Sequence, residues 1–62
     1  GIVMNKNQSD VHDICKKLNI TEDPDAIYQY INREWLIDWS ECTWEELQST
    51  IIYVAQEIRR TS

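Results

Sequence analysis

Apolar side chains recur at helical spacing in three separate stretches of this chain. In the first, Val11, Ile14, Cys15 and Leu18 stand at i, i+3, i+4 and i+7, which places them on one face of a helix. Ser9 is a suitable N-cap ahead of that stripe. Asp10 and Asp13 complement the positive end of the helix dipole, and Lys16 and Lys17 complement the negative end. Asn19 tolerates the left-handed conformation that stops a helix, leaving Ile20 to fold back on the last turn. The spacing predicts a helix over residues 9–18.

A second stretch opens with Asp23 before Pro24. Proline disfavours the helical region for the residue ahead of it and fits the first helical position, so Asp23 reads as N-cap. Ile27, Ile31 and Trp35 then form one stripe with Tyr28 at its edge, and Ala26, Tyr30 and Ile37 form a second about 100° round. A helix with two apolar faces needs two neighbours. Residues 36–42 fit either a last turn of this helix or an irregular corner.

The third stretch is the most fully marked. Thr43 and Glu46 have the spacing of a capping box, with Cys42 placed to pack onto Leu47. Trp44, Leu47, Ile51, Val54, Ala55 and Ile58 hold one stripe, and Arg59 and Arg60 suit the C-terminal end. Ile52 and Tyr53 point away from it by helical angle. With connections of about four to six residues, the expected fold is all-α: a small three-helix bundle over residues 9–62, preceded by a loose arm over 1–8. Gly1-Ile2-Val3 reads as a remnant ahead of a natural start at Met4.

Composition agrees with that fold. One glycine and one proline in 62 residues leave no punctuation for hairpins. A chain this short holds a single core worth roughly 3 to 5 kcal/mol net, so self-association enters as a possibility. No run reaches the roughly 20 apolar residues of a membrane span, and no basic stretch precedes an apolar one as in an export signal. A cytoplasmic protein that does not enter membranes is the simplest reading.

Charge narrows the partners. The net charge is −5, and between Glu34 and Glu46 the chain carries Glu34, Asp38, Glu41, Glu45 and Glu46 with no Lys or Arg. Such a surface repels phosphate and attracts basic partners, or serves only to keep the protein in solution. A helix-turn-helix DNA-binding domain is an alternative for a three-helix frame, but its recognition helix would open on Glu45 and Glu46 and have basic residues only at its end. An acidic mimic of duplex DNA, inhibiting a DNA-binding protein, is a further alternative.

Candidate chemistry is sparse. His12 and Cys15 have an H-x-x-C spacing, yet a structural zinc needs four ligands and no second close pair exists. A Cys15–Cys42 disulfide is possible on paper, with nothing to indicate an oxidising compartment. His12 could pair with Asp10 or Asp13 on its own helix. No assembled nucleophile, base and orienter can be drawn from one histidine, without a phosphate loop or space for a deep pocket. The expectation is a non-enzymatic chain with no cofactor and no metal.

What remains is a surplus of large side chains. Val11, Ile14, Cys15, Leu18, Ile27, Ile31, Trp35, Trp44, Leu47, Ile51, Val54 and Ile58 fill the expected interior, leaving Tyr30, Leu36, Ile37, Trp39, Ile52 and Tyr53 over. Aromatic residues rimmed by charge are the usual make-up of protein interfaces. The predicted contact surface is therefore Asp38, Trp39, Glu41, Glu45, Ile52 and Tyr53, with Trp39 and Tyr53 as anchors. Its partner would be another protein with a basic or apolar groove, or a second copy in a homodimer, in an adaptor, regulator or inhibitor.

Overall fold

Three capped stripes become three helices. The computed structural model describes residues 4–61, with α1 at Lys6–Lys17, α2 at Pro24–Glu34 and α3 at Trp44–Thr61. Among the described residues there is no strand, and the architecture is the all-α three-helix bundle the periodicity predicts. Residues 1–3 of the expected arm, and Ser62, lie outside the described residues.

The caps explain the boundaries. α1 begins a turn earlier than expected. Its N-cap is Asn5 rather than Ser9: the Asn5 Oδ1 accepts a hydrogen bond from the Gln8 N–H at 2.8 Å. Asn5 Nδ2 also donates to the Tyr28 hydroxyl at 3.1 Å, tying this cap to α2, so residues 6–8 belong to the helix and not to an arm. α2 starts as predicted, with Asp23 accepting from the Asp25 N–H at 3.0 Å and Pro24 in the first turn. At α3 the Thr43 hydroxyl accepts from the Glu46 N–H at 3.1 Å.

Both inner helix ends close in the same way. Asn19, at φ 56°, donates its N–H to the Lys16 carbonyl at 3.3 Å, and Ile20 donates to Cys15 at 2.9 Å. These are the paired bonds of a Schellman cap, predicted at this asparagine. Trp35, at φ 54°, repeats the pattern: its N–H meets the Asn32 carbonyl at 3.4 Å, and Leu36 N–H meets that of Ile31 at 3.2 Å. Residues 36–42 thus form an irregular corner outside the helix.

The core is Val11, Ile14 and Cys15 from α1, Ile27 and Ile31 from α2, and Leu47, Ile51, Val54 and Ala55 from α3. Ile58 is only partly buried. Three residues assigned to the interior by periodicity are exposed instead: Leu18, Trp35 and Trp44. Each sits at a helix end. Leu18 is the C-cap of α1, Trp35 is left-handed, and Trp44 opens α3 ahead of its first buried residue, Leu47. Conversely Tyr30, Ile37 and Trp39, expected to be left over, pack against the core as partly buried residues. No helix among the described residues is long and apolar enough to cross a membrane.

Candidate functional site

The corner between α2 and α3 is built by the left-handed turn at Trp35. A residue with a Cβ crowds its own carbonyl there, at a cost of roughly 1 to 2 kcal/mol, and glycine or asparagine usually holds the position. The turn carries the chain out of the helical path, so Trp35 projects into solvent and is 89% exposed. Beyond it Ile37 and Trp39, two apart, return to the bundle. The Trp39 indole N–H donates to Asn32 Oδ1 at 2.7 Å, and its ring lies against Tyr28 with centroids 5.7 Å apart at 50°.

A tight turn follows. Glu41 N–H reaches the Asp38 carbonyl at 3.0 Å. Asp38 Oδ1 accepts from both the Ser40 hydroxyl, at 2.7 Å, and the Ser40 N–H, at 3.0 Å. Those two bonds favour the charged form and hold the Asp38 carboxyl below its ordinary range.

Between Trp35 and this turn lies an open cleft of about 800 Å³. Ile31 and Ile37 line it with the indoles of Trp35 and Trp39, while Asn32, Asp38 and Ser40 supply its polar edge. A second cleft adjoins through Ile37 and is lined also by Leu36, Glu45, Glu46 and Thr50. The corner therefore carries two surfaces that share one isoleucine.

The predicted surface residues divide among these places. Asp38 and Trp39 meet in the first cleft, Glu45 lines the second, and Glu41 is exposed in the turn between. Ile52 and Tyr53 are exposed on α3 and line neither cleft. Trp39 is a wall of the bundle, held by Asn32 and Tyr28, and not a free anchor. Tyr53 interacts with Glu57, whose negative charge and hydrogen bond raise the phenol above its ordinary range. Of the three residues that periodicity misplaced, Trp35 is the one that lines the first cleft.

Elsewhere the chemistry is structural. His12 Nε2 lies 2.7 Å from Asp25 Oδ1, a link from α1 to α2 in place of the same-helix pairing with Asp10 or Asp13. Burial pushes the Cys15 thiol above its ordinary range, with smaller contributions from Glu22 and Asp23; Cys42 is raised by burial, Glu46 and Asp38. Both cysteines are free thiols. Among the described residues no group of three or more His, Cys, Asp or Glu side chains is placed to hold a metal ion.

No family model, no curated protein and no solved structure matches this chain.

Proposed function

We propose that the chain is a non-enzymatic protein-interaction module of the cytoplasm, a small adaptor, regulator or inhibitor, whose contact surface centres on Trp35 and the cleft beside it. One observation carries the reading: the largest side chain type is held in left-handed backbone with 89% of its surface in water. Neither feature stabilises the monomer. Strained backbone and exposed apolar area both cost free energy, and contact surfaces are where proteins retain them.

The neighbours fit that role. Ile37 adds apolar area beside the ring, Ser40 offers a hydrogen-bonding edge, Asp38 puts a carboxylate in the cleft, Glu45 lines the adjoining one, and Glu41 is exposed in the turn. Free thiols suit a reducing compartment. Trp35 takes the anchoring role, and Trp39 supports the wall against which a partner packs.

Selection from a displayed library of random peptides tests this, because it requires no choice of partner in advance. The full chain should enrich peptides whose binding is lost in Trp35→Ala and kept in Ile52→Ala. Enriched peptides that all bind Trp35→Ala as well as the parent chain would remove Trp35 and its cleft from the contact surface.

A further inference from the structure

The cleft beside Trp35 joins an apolar lining to one carboxylate, that of Asp38. Its walls are Ile31, Ile37 and the two indoles. At its edge stands Asp38; Glu41 follows in the same turn, and Glu45 and Glu46 line the adjoining cleft across Ile37. Among the described residues none of these four carboxylates is ion-paired. Arg33, the cation nearest in sequence, lies over the Tyr30 ring at 5.1 Å and pairs with Glu34.

We infer that the cleft receives a basic segment of another protein, which seats a large apolar side chain against Ile31, Ile37 and Trp35 and sets a Lys or Arg against Asp38. This rests on the interaction-module reading above. Asp38 is prepared for that contact: Ser40 occupies Oδ1 twice and fixes the carboxylate, while Oδ2 accepts no hydrogen bond from the described residues. The fixed oxygen lowers the ordering cost of a new ion pair.

Charge also separates this occupant from the other candidates. A second copy bound through the same face would make an isologous interface, with the corner meeting itself and the unpaired carboxylates of both copies brought together. Like charges juxtaposed across an interface are strongly disfavoured. Nucleic acid meets the same repulsion from its phosphates.

The test uses the full chain and a labelled synthetic peptide, Ser-Gly-Lys-Lys-Leu-Lys-Lys-Gly-Ser, followed by fluorescence anisotropy. One control peptide has every Lys replaced by Glu, and another has Leu replaced by Ser. The basic peptide should bind, and each control should bind far more weakly. Trp35→Ala should weaken binding by at least about tenfold, Asp38→Asn by roughly threefold or more, and Ile52→Ala by less than about twofold. Circular dichroism of each variant establishes that the fold is kept.

Equal binding of the acidic peptide, still sensitive to Trp35→Ala, would overturn the inference and leave the module reading standing. Binding of the basic peptide that ignores both Trp35→Ala and loss of the leucine is diffuse charge attraction and overturns the inference, while the module reading stands or falls on the peptide selection. If no peptide binds and the chain sediments as a dimer that Trp35→Ala dissolves, a second copy is the occupant and the basic partner is ruled out. Absence of peptide binding by a monomeric chain rejects the basic partner as well.

Discussion

Replacing Trp35 by glycine should leave the isolated chain as stable as the parent or more so, although the substitution deletes an entire indole. Trp35 is 89% exposed, so about a tenth of its surface is covered by the rest of the chain. On a side chain of about 250 Å² that is roughly 25 Å², worth roughly 0.6 kcal/mol of burial. Truncation to alanine should cost about that much, because alanine keeps the Cβ and its left-handed crowding. Glycine removes the crowding, a gain of roughly 1 to 2 kcal/mol, and loses roughly 0.5 to 1 kcal/mol to the greater freedom of the unfolded chain. The glycine variant should therefore exceed the alanine variant by up to about 1.5 kcal/mol, with a midpoint of about 0.75 kcal/mol or roughly 3 to 6 °C in melting temperature. Asparagine should fall between them. Thermal and urea unfolding of the three variants, followed by circular dichroism, decides the matter. A loss above about 2 kcal/mol in Trp35→Ala would mean that the ring packs within the monomer. A glycine variant less stable than alanine would mean that this residue is not left-handed in solution.

The remaining predictions concern the frame. Ile51 is fully buried, and Ile51→Ala should cost about 2 to 5 kcal/mol. Against a net stability of roughly 3 to 5 kcal/mol, that removes most of the margin and should lower the melting temperature by at least about 8 °C by circular dichroism. Asp23→Ala removes the acceptor for the Asp25 N–H and should lower stability by about 1 kcal/mol in urea titration. Both thiols are held above their ordinary range, so the folded state favours their neutral form. That contribution is complete below roughly pH 8.5 and fades as pH rises towards the folded values. A Cys15→Ala, Cys42→Ala double variant should therefore show a shallower loss of stability above pH 9 than the parent; identical alkaline slopes would show that the thiols do not contribute.

Where sequence periodicity succeeded and where it failed has one physical origin. The pattern i, i+3, i+4 holds only while each residue keeps helical dihedral angles. Val11, Ile14, Cys15, Ile27, Ile31, Leu47, Ile51 and Val54 all lie inside helices, and all are buried as the pattern requires. Leu18, Trp35 and Trp44 continue the same arithmetic onto end positions, where the backbone leaves the helix or the helix has just begun, and there it misdirects them. At Asn19 the residue type announced the left-handed turn; at Trp35 nothing did, because tryptophan is neither a usual cap nor a turn residue. The same blind spot hid Trp39. Once Trp35 turns the chain, the irregular corner that follows brings both Ile37 and Trp39 back against the core. The acidic run from Glu34 to Glu46 was legible from composition alone, but its position beside a cleft depends on that turn.

The left-handed Trp35 also ties the stability of the corner to the proposed contact surface. The Schellman bonds at Asn32 and Ile31 hold the left-handed residue in place from one side, and the Trp39–Asn32 hydrogen bond holds the returning corner from the other. Asn32 thus contributes its carbonyl to one and its side chain to the second. Asn32→Ala keeps the carbonyl and loses only the indole contact, which should cost about 1 kcal/mol of stability. If the corner is what presents Trp35, this variant should weaken binding of a Trp35-dependent peptide and, because Asn32 itself lines the cleft, should do so with altered heteronuclear NMR shifts at Ile37, Asp38 and Ser40 in the free chain. Unchanged shifts over 36–41 with full peptide binding would show that the corner is held by Ile37 and the turn alone, with Trp39 a passenger.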